Sequence, residues 1–312
     1  MKVSAALLLA IVSAGGYAAT EEQDAHPLDE PVQRAASTLA QREDPDSLAA
    51  AAVLTLFKDR AGAEQLAARA SAAGPKRPDL LWLHAQLCET AVPGCDRKPI
   101  DARLRALDPE NGITFLAPLG AAARAGNSPE TDRLLDAVGS SKRVDIYWNT
   151  LIGHLATTIA STKELTVSQS VVAVTGAISA TSIPPLLGTA LPCRGEELQR
   201  EGRRARCQGI VRALQQGDTA IMEMASTSLV ARLWPEDSPE GRAAREARRI
   251  FDYRISITRA DSARRLTDEA AALQYIARTS QYRREQDVIV AEIVAQGRSP
   301  VPPADWSRPP PG

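Results

Sequence analysis

Alanine is the feature that most constrains this chain, because it occurs 54 times among 312 residues, whereas Phe, Trp and Tyr together occur 12 times. Alanine has the highest helix propensity, and strands favour aromatic and β-branched residues instead. The composition therefore excludes an all-β fold and predicts an all-α one. A content of 44% hydrophobic and 24% charged residues is typical of a globular chain and excludes collagen-like and wholly disordered classes.

Apolar residues recur at helical spacing along the chain and are interrupted by short turn signals. Two segments of the form Ser-Pro-Glu are typical helix starts, with Ser as the N-cap and Pro at the first helical position. Thr166 and Gln169 fit a capping box. The pattern predicts antiparallel helix hairpins, stacked into a right-handed array or a curved bundle. The predicted start signals are Asp79, Ser128, Thr166, Asp218 and Ser238.

One stretch carries a family likeness. Trp82 and Phe115 lie 33 residues apart on successive helices of the same type, close to the period of about 34 residues in tetratricopeptide repeats. Pro109 stands where the preceding repeat would end, Phe115 occupies the large aromatic position, and Gly126 closes the first helix. The stretch 107–138 therefore resembles a tetratricopeptide-like repeat.

The resemblance covers residues 46–162 at most. Pro118 stands where these repeats usually have Leu, and Thr131 replaces the small Ala of the second helix. Generic stacking of α-hairpins is the alternative interpretation. In both cases stacked hairpins leave a concave face, and the resemblance implies that this face binds a peptide or a segment of another protein.

The first residues have the pattern of a secretory signal peptide. Lys2 gives a short positive region, Val3 to Val12 form an apolar run of ten residues, and Gly16-Tyr17-Ala18 offers small residues for cleavage. The apolar run is too short to span a bilayer. We expect cleavage after Ala18 or Ala19 and an exported chain, periplasmic or secreted, with the Arg and Ala bias indicating a bacterial source.

The rest of the chain is predicted to contain no membrane span. The best candidate, 171–191, holds seven Ser, Thr or Gly residues and two prolines, so a buried helix followed by a turn explains it better than lipid. A charged helix or helix pair is expected over 240–296, broken near 257 or 279. The predicted organisation is a signal peptide (1–19), a flexible leader (20–30), a hairpin region (31–162), a C-terminal helical region (163–297) and a Pro-rich tail (298–312).

The four cysteines predict two disulfides, since an even number in an exported chain favours pairing. Proximity favours Cys88–Cys95 and Cys193–Cys207. In a single helix Cys193 and Cys207 would lie about 21 Å apart, so residues 193–202 are predicted to be a connection, with Cys207 near the start of the next helix. A reactive or metal-binding pair is the alternative, although no C-x-x-C motif occurs.

Side chains that carry chemistry are scarce. The three histidines (His26, His84 and His154) are isolated, and the sequence has no zinc, P-loop, dinucleotide or serine-hydrolase motif. His84 is interpreted as a packing residue. We therefore expect no cofactor, no metal and no catalytic residue, although acids distant in sequence can converge into a glycosidase-type pair.

The C-terminal part is rich in arginine. Arg245, Arg248 and Arg249 have the i, i+3, i+4 spacing that places side chains on one helix face, where they can bind phosphate or carboxylate groups. A solvated face paired with Glu240, Glu246 and Asp252 is the alternative. No aromatic residues are interleaved with the arginines, so nucleic acid is not an expected partner.

These observations favour a non-catalytic, exported helical-repeat protein that acts as a protein-binding scaffold or adaptor in the bacterial periplasm. One alternative is a periplasmic enzyme acting on a cell-wall-type substrate through acids that form no motif. Another is a purely structural protein. The expected partner is a protein or peptide, and the sequence does not fix the oligomeric state.

Overall fold

The protein is all-α, as predicted. The structure, a computed structural model, describes residues 28–89, 95–188 and 190–308, and within them it has fourteen α-helices and no strand. The predicted signal peptide and most of the predicted leader lie outside the described residues. The helices are α1 Asp29–Ala40, α2 Pro45–Thr55, α3 Arg60–Ala73, α4 Pro78–Glu89, α5 Arg97–Leu107, α6 Leu116–Arg124, α7 Ser128–Ser140, α8 Trp148–Ala160, α9 Val167–Gly188, α10 Arg203–Gln215, α11 Ala220–Leu233, α12 Pro239–Arg265, α13 Glu269–Thr279 and α14 Glu285–Ala295.

Several helix starts follow the predicted capping chemistry. The Thr166 Oγ1 accepts from the Gln169 N–H at 3.2 Å, and the Gln169 Oε1 accepts from the Thr166 N–H at 2.9 Å, so the capping box of α9 is confirmed. The Ser238 Oγ accepts from the Gly241 N–H at 3.0 Å and begins α12. These caps are local, which is why the sequence predicts them.

Three predicted caps are wrong. Asp79 is not a cap, because α4 begins at Pro78 and Asp79 lies in its first turn. Asn127, not Ser128, accepts the Glu130 N–H at the start of α7, because the helix begins one residue earlier than the Ser-Pro pattern suggests. Thr219, not Asp218, caps α11 through the Met222 N–H. Asp218 lies just outside that helix, and its carboxylate accepts from a different part of the chain.

The alanines pack helices closely together. Ala49, Ala50, Ala51 and Ala52 of α2 are all fully buried, so this helix is apolar on every side. Helices α3, α8 and α9 all pack against α2. Small side chains on each face let these neighbours approach, which gives the alanine excess a structural role.

The helices pack mainly on their neighbours in sequence. The pairs α2–α3, α3–α4, α4–α5 and α6–α7 are each in contact, and α7, α10, α11 and α12 then pack in succession. Helices α8 and α9 pack on each other, on α2 and on α13. The predicted boundary at residues 162 and 163 falls in the turn between α8 and α9. No helix in the described ranges has both the length and the apolar character needed to cross a bilayer.

Both predicted disulfides are present. Cys88–Cys95 joins α4 to the residues before α5, with Cα atoms 5.5 Å apart. Cys193–Cys207 joins a short 3₁₀ turn, Leu191–Cys193, to α10, with Cα atoms 5.7 Å apart. The predicted connection between these two cysteines is confirmed, because α10 begins only at Arg203. Cys193 and Cys207 are fully buried.

Removing the second disulfide should destabilise the fold. We expect Cys193→Ala/Cys207→Ala to lower the free energy of unfolding by about 3 kcal/mol, since the bond closes a loop with a sequence separation of 14. The Cys88–Cys95 bond closes a shorter loop, with a sequence separation of 7. Its removal in Cys88→Ala/Cys95→Ala should therefore cost about 0.6 kcal/mol less. Urea denaturation measures both. A loss below about 1 kcal/mol for the first pair would contradict this prediction.

Of the two predicted helix breaks, near 257 and near 279, the structure has the second. Chain direction changes after Thr279, as predicted, and also at Leu266–Asp268, whereas α12 continues through Ile257 and Thr258. Thr258 lies within α12, and its Oγ1 donates to the Arg254 carbonyl at 2.7 Å.

The Pro-rich tail is non-helical over its described residues, which dock along α12. Trp306 packs edge-to-face on Tyr253 with ring centroids 5.4 Å apart. Arg254 donates to the Pro300 carbonyl at 3.0 Å and Arg249 to the Pro303 carbonyl at 2.9 Å. Arginines of α12 thus hold the tail by its backbone. Residues 309–312 lie outside the described part.

Candidate functional site

A buried aspartate fixes the start of α8. Asp218 is 1% exposed, and its two carboxylate oxygens accept from the Ile146 N–H at 3.0 Å and the Trp148 N–H at 2.8 Å. Burial, reinforced by the nearby negative charge of Asp145, raises the pKa of Asp218 to about 8. Asp218 therefore ties the chain before α11 to the chain before α8.

A second buried acid anchors an arginine beside the same segment. Asp145 is 3% exposed and receives Arg283 Nη1 on both oxygens, at 2.5 and 2.6 Å. Arg143 Nε also donates to Asp145, at 2.7 Å. Burial raises the pKa of Asp145, and the two guanidinium groups partly offset this effect. Arg283 is thereby held at one end of α8.

The backbone of this segment is strained, and its neighbours hold it in place. Tyr147 has a φ of +58°, in the left-handed region that non-glycine residues rarely adopt. Its hydroxyl donates to Asp108 at 2.7 Å, and Asn111 Nδ2 donates to that hydroxyl at 3.1 Å. Asn111 Oδ1 also accepts from the Asp145 N–H at 2.9 Å. Residues from three distant parts of the sequence (108–111, 218 and 283) thus position the start of α8.

Beside this anchored segment a cleft of about 630 Å³ opens between α8 and α13. Most of the residues that line it have polar side chains, among them hydroxyl, amide, imidazole and guanidinium groups. The residues that matter most below are Asn149, Thr150, His154, Gln281, Tyr282 and Arg283.

Asn149 occupies the deep end of the cleft. Its side chain is 1% exposed, and Nδ2 donates to the Tyr282 carbonyl at 2.8 Å. The Oδ1 atom is buried and has no hydrogen-bond partner among the described residues. A buried acceptor without a donor costs free energy, and an N–H group that reached it from the cleft would remove this cost.

At the outer end of the cleft, acidic and basic side chains lie next to one another. His154 Nδ1 lies 3.6 Å from Asp46, and Asp46 lies 3.1 Å from Arg77. Hydrogen bonding to Asp46 raises the pKa of His154, and the same contact lowers the pKa of Asp46. Both side chains are partly exposed. This end is therefore close to neutral overall and offers both donors and acceptors.

Glycine lets the two walls of the cleft meet. A Cβ at Gly153 of α8 would lie 2.7 Å from the Oγ1 of Thr279 in α13, and Thr279 is buried. We expect Gly153→Ala to push these helices apart and to cost about 1–3 kcal/mol of stability. Gly176→Ala is the matched control, because it is mid-helix with open space around its Cβ and should stabilise by about 0.5–1 kcal/mol. Thermal unfolding of both variants measures this, and changes of the same sign would contradict it.

Asp218 gives the stability of the protein a pH dependence of definite sign. Because its carboxyl takes up a proton on folding, this contribution is complete below the ordinary pKa of 3.8 and is lost as the pH rises through about 8. We expect the free energy of unfolding to fall across this window, and less steeply in Asp218→Asn, whose amide does not titrate. Urea denaturation at intervals of pH measures both slopes. Parallel curves for the two proteins would argue against this role of Asp218.

The predicted arginine stripe lies on α12, away from the residues that line the cleft. Arg248 pairs with Asp252 at 2.9 Å, and Arg249 pairs with Glu246 at 2.8 Å and also binds the tail. Arg245 is exposed and has no such partner within the described residues. Two of the three arginines thus make the ion pairs of the alternative interpretation. Anion binding by this stripe stays a prediction.

Sequence reasoning missed the residues that build the cleft. Asn149 and Arg283 lie in no motif, and Asp218 was assigned to the wrong role. In comparisons with known proteins, no family model, no curated protein and no solved structure matches this chain. The cleft is therefore defined by its own geometry, and the resemblance of residues 46–162 to tetratricopeptide repeats stays a prediction.

Proposed function

We propose that the protein is an exported, non-catalytic helical scaffold that binds an extended segment of another protein in the cleft between α8 and α13. The observation that carries this proposal is the buried, unpartnered Oδ1 of Asn149 beside the Tyr282 carbonyl, which accepts from the Asn149 amide. An acceptor and a nearby carbonyl suit the N–H groups of an extended peptide backbone.

Uncommitted polar side chains lie along the same cleft. Thr150, Gln281 and Tyr282 are exposed and line the cleft, and none of these three side chains makes a hydrogen bond within the described residues. They can therefore bind a ligand without breaking an internal contact. Tyrosine also offers a large contact area at a low cost in conformational entropy.

The walls of the cleft are ordered before a ligand binds. Asp145 holds Arg283, and Asp218 holds the backbone at the start of α8. Because these contacts are internal, binding does not need to order this part of the cleft, which lowers the entropic cost of association.

The carboxylates favour binding over hydrolysis of a glycosidic bond. Asp46 is the one carboxylate among the residues that line the cleft, and it pairs with Arg77. Asp145 and Asp218 are buried and hold structural contacts instead. Glycoside hydrolysis uses two carboxyl groups that flank the substrate. Export is supported by the two disulfides, which persist in oxidising compartments.

Site-specific photo-cross-linking in the bacterial envelope tests the proposal. A photoreactive amino acid replaces Thr150 in the cleft or, as the matched control, the exposed Thr267 in the turn after α12. We expect a discrete adduct from position 150 and none from position 267. Mass spectrometry then identifies the captured segment.

The captured segment should bind the purified mature chain as a synthetic peptide. Asn149→Leu removes the buried acceptor and should weaken binding about tenfold, the equivalent of one hydrogen bond. Thr267→Ala should leave the affinity unchanged. Adducts of equal yield from both positions, or a peptide that binds Asn149→Leu as tightly as the wild type while the variant stays folded, would refute the proposal.

A further inference from the structure

A second group of chemically reactive side chains lies outside the cleft, where α3 packs on α4. Glu64 of α3, His84 of α4 and Cys95 place one ligand-type atom each within 4.8 Å of one another. Glu64 Oε1 lies 3.2 Å from His84 Nε2 and 3.4 Å from Cys95 Sγ. Cys95 forms the disulfide with Cys88, so a second sulfur is bonded to one of these three atoms.

Helix α4 places His84 and Cys88 on one face. His84 and Cys88 are four residues apart on α4, and side chains at this spacing lie above one another. Glu64 reaches the same point from α3, and both the Glu64 and His84 side chains are about seven-eighths buried. Glu64, His84 and Cys95 thus converge from two packed helices and the residues before α5, and Cys88 joins them through its bond to Cys95.

A hydrogen-bonded serine supports the histidine. Ser71 Oγ lies 3.1 Å from His84 Nδ1 and donates to the Ala68 carbonyl at 2.9 Å. When Nε2 binds a metal ion, the ring proton stands on Nδ1, which can then donate to the Ser71 Oγ. Metal-binding histidines are commonly held in this way, with the second ring nitrogen donating to a neighbour.

We propose that, when the Cys88–Cys95 bond is reduced, these four residues bind one divalent metal ion of the zinc class through the two thiolates, His84 Nε2 and Glu64 Oε1. Two thiolates, one imidazole and one carboxylate make up a four-coordinate donor set that suits zinc. The disulfide and the metal are alternatives, because both use the same sulfur atoms.

The exchange between the two states is balanced. A dithiol reductant transfers two electrons and two protons, its own sulfurs form a disulfide, and the Cys88–Cys95 bond breaks to give two thiols. The metal then forms two metal–sulfur bonds and releases the two thiol protons to solvent. Transfer of two electrons to a disulfide acceptor reverses the process and frees the metal.

The backbone already has the spacing that this site requires. Two sulfurs bound to one tetrahedral zinc ion lie about 3.8 Å apart, given a Zn–S distance of about 2.3 Å. The Cα atoms of Cys88 and Cys95 are 5.5 Å apart, so rotation of the two side chains can separate the sulfurs without moving the helices.

Cobalt(II) substitution tests this proposal on the whole mature chain. The chain is reduced anaerobically with a phosphine, which is not a thiol ligand, and reaction with a thiol reagent followed by mass spectrometry verifies that Cys88 and Cys95 are free. We expect one equivalent of cobalt to produce a thiolate-to-cobalt charge-transfer band and the intense visible bands of a tetrahedral site. One equivalent of zinc should remove both.

Matched variants locate the ion. His84→Ala should weaken cobalt binding about a hundredfold or more, and Ser71→Ala about tenfold, since ligands and their supporting partners contribute on this scale. His154→Ala removes a histidine elsewhere and should bind cobalt like the wild type. Circular dichroism verifies that each variant remains helical.

Three results would overturn the proposal. The first is a reduced chain, folded or unfolded, that gives no thiolate band. The second is an oxidised chain that binds cobalt as tightly as the reduced one. The third is a folded His84→Ala variant with unchanged affinity, since the metal would then be held by other groups.

Discussion

We expect Asp218→Ala to lower the free energy of unfolding by about 3–5 kcal/mol, because it leaves two buried N–H groups without an acceptor. These are the N–H groups of Ile146 and Trp148, which donate to the two carboxylate oxygens. Asp218 lies 72 residues away from Ile146 in the sequence, so the variant breaks a long-range tie rather than a local cap. Urea denaturation near pH 4 gives the value, because proton uptake by Asp218 on folding adds little to the difference there.

Asp237→Ala is the matched control. Asp237 is exposed in the turn before α12, and its side chain makes no hydrogen bond within the described residues, so its replacement should change stability by less than about 0.5 kcal/mol. If the two variants lose similar amounts, Asp218 does not hold the start of α8.

A second large effect should come from enlarging the buried alanines of α2. Ala50 and Ala51 are fully buried, and α3, α8 and α9 surround this helix. We expect Ala50→Leu/Ala51→Leu to cost about 4 kcal/mol, because the added carbons on two faces must displace packed helices. The expected result is a cooperative unfolding transition at lower urea concentration, followed by circular dichroism.

The control makes the same chemical change on the surface. Ala263→Leu/Ala270→Leu alters two exposed alanines near the turn between α12 and α13 and should stay within about 1 kcal/mol of the wild type. Equal losses in both double variants would mean that leucine itself, and not the packing around α2, causes the effect.

Local chemistry explains what could be predicted from the sequence. The capping box of Thr166, the cap at Ser238 and both disulfides involve residues close together in the chain. Alanine content and helical periodicity give the all-α class for the same reason, because helix propensity is a local property.

Long-range contacts explain what could not be predicted. Asp218 precedes a helix, and aspartate is a common N-cap residue, yet the N–H groups that it binds lie at the start of α8. Arg283 meets Asp145 across 138 residues, and the buried Asn149 donates to a carbonyl 133 residues away. Each residue type is common in turns and helices, so nothing in the local pattern marks these positions.

The proposed metal site is intermediate between these cases. The spacing of four residues between His84 and Cys88 is visible in the sequence. It allows the two side chains to bind one metal ion only when both lie on the same helix face. Glu64 joins them through the packing of α3 on α4, which no local pattern reveals.

Amide hydrogen exchange tests the central claim, that the cleft between α8 and α13 binds a segment of another protein. The mature chain is compared with and without the peptide captured from position 150. The account predicts slower exchange over residues 149–158 and 276–283, with unchanged exchange over 240–265 in α12. Protection confined to α12, or no protection at the cleft under saturating peptide, would contradict it.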